Sequence, residues 1–146
     1  MNLSPVVIFV YNRPRHTQRT LEALSKNRLA DQSILYVYAD GVKEGATVDQ
    51  LTKNQEVRRV INSRKWCKEV KVIERDKNWG LADNIIDGVS KVVKNYGKVI
   101  VLEDDVVTAE LFLTYMNAAL DEFEGVDQVK TIAGYIVERE TAYFLA

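Results

Sequence analysis

Apolar residues along the chain follow two alternating rhythms. Short β-branched runs stand at Pro5–Tyr11 (PVVIFVY), Ser33–Ala39 (SILYVYA), Glu69–Glu74 (EVKVIE), Lys98–Leu102 (KVIVL) and Gln128–Ala133 (QVKTIA), and each predicts a strand. Between them the spacing turns helical. Arg15 to Lys26 follows Pro14, a residue suited to a first helical turn. Thr47 or Asp49 can cap a helix running to about Arg64, with Leu51, Val57, Val60 and Ile61 on one side. Gly80 to Tyr96 carries Leu81, Ile85, Ile86, Val89, Val92 and Val93, a 3.6-residue stripe. Ala109 to Phe123 repeats it with Leu111, Phe112, Tyr115, Met116, Ala119, Leu120 and Phe123. Both stripes are expected to face the core.

Strands alternating with helices of a dozen or more residues predict βαβ units. The expected fold is α/β, a three-layer α/β/α arrangement with a mostly parallel sheet. Near-continuous apolar strands such as VVIFV and VIVL suit a sheet covered on both faces. Sheets of this type bind ligands beyond the carboxyl ends of their strands, so the residues just after each strand matter most.

Composition narrows the class. The 146 residues suit one domain over positions 1–146, with 47% hydrophobic and 28% charged residues as in a soluble globular protein. A net charge of −1 gives no electrostatic reason for a nucleic-acid partner, and the basic residues are scattered. No apolar run approaches the roughly 20 residues needed to cross a bilayer, and the N-terminal MNLSPVVIFVYNRP has no leader-like pattern. Cys67 is the single cysteine, which excludes an internal disulfide and suits a reducing, cytoplasmic location. Cys67 and the single histidine, His16, are read as packing or surface residues.

The predicted strand ends carry the candidate chemistry. After the first stand Asn12, Arg13 and Pro14; after the second, Asp40 and Gly41; after the third, Arg75 to Gly80; after the fourth, Glu103, Asp104 and Asp105. In a parallel sheet all four groups share one rim. Three adjacent carboxylates cannot all stay ionised cheaply away from water, so either their pKa values rise or a cation compensates. Carboxylate oxygens suit hard Mg²⁺ or Mn²⁺, and no Cys/His cluster favours zinc. The triplet can equally be a solvated turn whose acids face the next helix dipole. A receiver-domain reading is disfavoured, because there the acidic pair follows the first strand, which here ends in Asn-Arg.

The ordered set of motifs resembles the nucleotide-binding half of GT-A glycosyltransferases. PVVIFVYNRP is similar to the opening strand and nucleotide-contacting turn, YVYADG to the second strand, and NWGLADNIIDGV to the helix start of family-2-like enzymes. VIVLEDDV resembles a DXD-type motif in the Glu-Asp-Asp form of N-acetylglucosaminyltransferase I and its relatives. AELFLTYMNAAL and VKTIAGY are similar to the helix and strand that come after the motif in that group.

The resemblance implies a nucleotide-sugar donor, a UDP-sugar foremost, and a glycan or other acceptor. It places Asn12 in the nucleotide-contacting turn, with Arg13 and Asp40 on the nucleobase, Asp40 accepting from an imide N–H. Asp104 falls on the ribose hydroxyls, Glu103 near sugar or ribose, and Asp105 on a Mn²⁺ or Mg²⁺ bridging the diphosphate. Asn78, Gly80 and Asp83 fall near the donor sugar or diphosphate, and Trp79 is read as packing. The acceptor half and catalytic base of such enzymes come after the strand around Thr131–Tyr135, whereas this chain stops at YFLA as another strand begins. The expectation is therefore a truncated domain with no assignable base. A non-catalytic nucleotide-binding or interaction module of the same fold is the alternative. A sugar nucleotidyltransferase is disfavoured, because YNRPR replaces its Gly-rich first turn.

Overall fold

The computed structural model describes residues 3–134. Four strands form one sheet: β1 (Val6–Val10), β2 (Ile34–Ala39), β3 (Glu69–Glu74) and β4 (Ile100–Glu103). Their order is β3-β2-β1-β4 and every pairing is parallel. Helices α1 (Pro14–Ser25), α2 (Val48–Asn62), α3 (Leu81–Tyr96) and α4 (Phe112–Glu122) connect and follow them, with a short 3₁₀ turn at Ala30–Gln32. Parallel neighbours need crossover connections, and the helices supply them. This is the expected α/β fold with a parallel sheet.

Two apolar layers sandwich the sheet. On one face Val6, Ile8, Val10, Leu35, Val37, Ile100 and Leu102 pack with Leu21 and Leu24 of α1, Val57 and Ile61 of α2, and Leu113 and Met116 of α4. On the other, Val7, Phe9 and Tyr38 pack with Val92 and, at the margin, Ile85 and Val89 of α3. Residues of β1 are buried on both sides, as a central parallel strand requires. Coverage of the second face stops short of β4. Its burial alternates, Ile100 and Leu102 in the core and Val101 44% exposed, so the expectation of full cover on both faces holds only for the centre of the sheet. The helical stripes are likewise only partly core-facing: Leu81 and Ile86 of α3, and Leu111, Tyr115 and Phe123 around α4, are exposed.

Local signals explain the helix limits. Pro14 opens α1 with its fixed φ, and Thr47 caps α2 in a reciprocal capping box with Gln50. Gly97 ends α3 in the left-handed conformation.

The fifth strand expected at Gln128–Ala133 is not formed. Gly125, at φ +81°, turns the chain after α4. Ile132 then packs against the α1/α2/α4 core, and a Cβ on Gly134 would lie 2.7 Å from the Phe112 ring. The segment thus runs over α4 instead of along β4. The further strand expected near Leu145–Ala146, and Tyr135 of the motif VKTIAGY, lie outside the described residues. Among the described residues no helix is long and apolar enough to cross a membrane.

Candidate functional site

Parallel register brings the strand ends to one rim, with Val10 beside Ala39, Ala39 beside Glu74 and Phe9 beside Glu103. Asn12, Arg13, Asp40, Arg75 and the acidic triplet therefore share that edge. Two bonded clusters stand on it, one around Arg13 and one around Asp40.

The first joins Arg13 to the acids. Its guanidinium lies 3.1 Å from Oδ1 of Asp104 and donates to Oδ2 of Asp105 at 3.0 Å. The Arg13 carbonyl accepts from the backbone N–H and the hydroxyl of Thr17, so the first turn of α1 holds the residue in place. Thr20, also on α1, donates to the Asp104 carbonyl at 2.9 Å and ties the β4–α4 loop to the helix. The bond to Asp105 raises the Arg13 pKa. Burial pushes the Asp104 carboxyl above its ordinary range, and the charge of Arg13 only partly offsets this. Glu103, the last residue of β4, is exposed on the face shared by Val101. Consequently no three acids converge: among the described residues no group of three or more His, Cys, Asp or Glu side chains is placed to hold a metal. The awkward triplet is resolved by alternation and by one arginine.

The second cluster centres on Asp40, which is only 5% exposed. One carboxylate oxygen accepts from the backbone N–H groups of Gly41 (2.9 Å) and Trp79 (2.8 Å). The other accepts from the Asn78 side chain and the Gly80 N–H, both at 3.0 Å. A carboxylate offers about four lone-pair sites, and all are taken. An imide N–H of a base would have to replace one of these donors. Gly41 permits the close approach of the two loops, since a Cβ there would lie 2.5 Å from the Lys77 carbonyl carbon. Gly80 starts α3 at φ +80°, a conformation that favours glycine.

Beside this clamp sits a group that strand-end reasoning only half found. The Arg75 guanidinium lies 3.8 Å from the centre of the Trp79 ring, donates to Asn84 at 3.2 Å and pairs with Asp87. Lys91 and Arg75 hold the Asp87 carboxyl below its usual range. Trp79 is thus a stacking partner for a cation, in keeping with its reading as packing. Asn54 of α2 braces the rim from behind, donating to the carbonyls of Tyr11 and Asp40. Its only sequence signal is a polar residue amid the α2 pattern. Asp83 is exposed in the first turn of α3, three residues after Gly80. Asn12 lines a groove of about 1210 Å³ between α1 and α2, which Arg13, Arg19, Lys53 and Arg59 also border. Cys67 is buried and its thiol is pushed up to about 12, in keeping with an inert packing residue.

A parallel α/β sheet with an acidic, arginine-paired rim defines the class, a GT-A-type domain. Residues 6–142 match glycosyl transferase family 2, and the chain belongs to that family. No curated protein matches it. Among solved structures, the crystal structure of S. aureus TarS superposes with a TM-score of 0.51 at 19% identity. The match covers 84% of this chain and 20% of TarS, and is a likeness of fold.

Proposed function

We propose that this domain binds a nucleoside-diphosphate sugar at the rim built by Arg13, Asp104 and Asp105, for transfer of the sugar to an acceptor hydroxyl. The observation that carries the reading is the Arg13–Asp104–Asp105 cluster at the carboxyl end of the sheet in a family 2 chain. Family 2 members commonly use a divalent metal. The donor set fits Mn²⁺ or Mg²⁺ in one way only. With no three-acid cluster among the described residues to enclose it, the ion would take one or two carboxylates from the protein, and phosphate oxygens and water would complete its shell.

Asp105 is the ligand of choice. Its side chain is 42% exposed and only Oδ2 is engaged by Arg13. When bound, the ion neutralises charge that develops on the departing nucleoside diphosphate. Asp104, less exposed and held by Thr20 through its backbone, suits fixed polar contacts such as ribose hydroxyls. Glu103 borders the open face where the sugar or ribose would lie. Asn12 and Arg13 begin the turn that meets the nucleotide. Asp40 acts chiefly by ordering Asn78 and Gly80, so those residues meet the donor in a preset geometry, and direct base contact by Asp40 needs an exchange of one loop donor. Asp83 stands at the entrance to α3. A UDP-sugar as donor, a glycan as acceptor and a cytoplasmic location belong to the same proposal.

Calorimetric titration with UDP and GDP, each with and without Mn²⁺, tests it. UDP is expected to bind in the presence of Mn²⁺, and Asp105→Ala to weaken that binding at least about tenfold, the loss of one charge-assisted ligand. Binding indifferent to both the metal and Asp105→Ala would overturn the reading. A non-catalytic module of the same fold would bind in the same way, and single-turnover hydrolysis or transfer of a bound sugar separates the two.

A further inference from the structure

Resting on the donor-site reading, we infer that Arg13 makes this rim accept its divalent cation together with a diphosphate and discriminate against the free ion. The guanidinium is already the counter-ion of the site. Two of its nitrogens reach Asp104 Oδ1 and Asp105 Oδ2 at 3.1 and 3.0 Å, so one planar fork spans both carboxylates. Its anchorage is strong, because the carbonyl of the same residue accepts two bonds from Thr17 and Pro14 comes next with its fixed φ. The backbone of Arg13 is therefore held at the rim, and its half-exposed side chain is free to swing.

A bare divalent ion approaching Asp105 meets a fixed positive charge on the same carboxylate. It must either share the carboxylate with Arg13 against like-charge repulsion or expel the guanidinium into water with nothing in return. A cation that arrives on a diphosphate brings its own anionic oxygens. Guanidinium pairs with phosphate as readily, and in the same bidentate manner, as with carboxylate. Arg13 then exchanges one anionic partner for another while the metal takes Asp105. Metal and diphosphate are thereby coupled through one side chain, and the coupling is reciprocal: each raises the affinity of the other by the same factor. Arg13 is thus a specificity-determining residue for the form in which the cation is taken.

The test is calorimetry on the 146-residue chain with MnCl₂ alone, UDP alone and MnCl₂ in the presence of saturating UDP. Wild type is compared with Arg13→Gln and Arg13→Lys. The Arg13 side chain is 43% exposed, so neither substitution opens the core, and thermal unfolding verifies this. Arg13→Gln is expected to bind Mn²⁺ alone about tenfold more tightly, because a like charge a few ångströms away has been removed. It is also expected to lose most of the enhancement that UDP gives to Mn²⁺. Arg13→Lys keeps the charge but not the fork, so it is expected to bind free Mn²⁺ as weakly as wild type with a reduced UDP enhancement. If wild type binds UDP with Mn²⁺ and Arg13→Gln leaves free-Mn²⁺ affinity unchanged or lower, the inference is wrong and the donor reading stands. If no combination of Mn²⁺ and UDP binds wild type, both are wrong.

Discussion

At the scale of single residues, Asp40 has the densest set of bonds on the rim. Its two oxygens satisfy three backbone N–H groups and one side-chain amide from loops that strand spacing keeps apart in the sequence. Deleting the carboxylate leaves buried donors without acceptors, each costing about 1–3 kcal/mol before water compensates. Asp40→Ala is therefore expected to lower stability by about 2–4 kcal/mol in chemical denaturation. A loss under about 0.5 kcal/mol would mean that the loop donors find water at no cost. The position of Asp40 at a strand end was legible in the sequence, and so was its acidity. Its partners were not, because Asn78 and Gly80 are 38 and 40 residues away and only the parallel pairing of β2 with β3 makes them neighbours.

At the scale of elements, the β3–α3 connection shows how a loop is stiffened without regular structure. Arg75 at the end of β3 stacks on Trp79, bonds Asn84 and pairs with Asp87 on α3, while its carbonyl accepts from Arg58 of α2. Lys91 joins from the next turn of α3. Because the folded-state pKa of Asp87 is lowered, its contribution to stability is present above the unfolded value and is lost as pH falls through the folded one. Asp87→Asn is thus expected to destabilise at neutral pH, with the gap to wild type closing as pH is taken below the usual carboxylate range. Thermal unfolding from about pH 7 down to about pH 3 reads this, and a gap independent of pH would exclude the ion pair as its source. The failed strand at Gln128–Ala133 belongs to this scale too. Its alternation was weak: Val129 and Ile132 are half-buried three residues apart, and Ile132 packs against the core that includes α4. A propensity for strand has no effect without a partner edge alongside.

For the whole molecule, the unequal cover of the sheet sets what each position can tolerate. Ile100 is buried in the core cluster shared with α1, α2 and α4, while its neighbour Val101 faces outward at the edge. Ile100→Ala is expected to cost about 2–5 kcal/mol as a core cavity. Val101→Ala should stay near about 0.5 kcal/mol, as surface changes do. Equal effects in urea titrations would mean that β4 is covered on both faces in solution. Four of the five strands that the periodicity predicts, their alternation with helices and a mostly parallel sheet were determined by the sequence itself, and hence the rim on which Arg13, Asp40 and the acids stand. Those features arise from local periodicity and from the short reach of turns, which leaves helices as the only crossovers. The tertiary structure alone decided that the triplet Glu103–Asp105 divides, with Glu103 on the open face and Asp104 and Asp105 on one guanidinium. It also decided that Asp40 faces a loop and that the last apolar run crosses α4. These outcomes depend on which surfaces meet across tens of residues, and packing, unlike periodicity, is not written in any one stretch of chain.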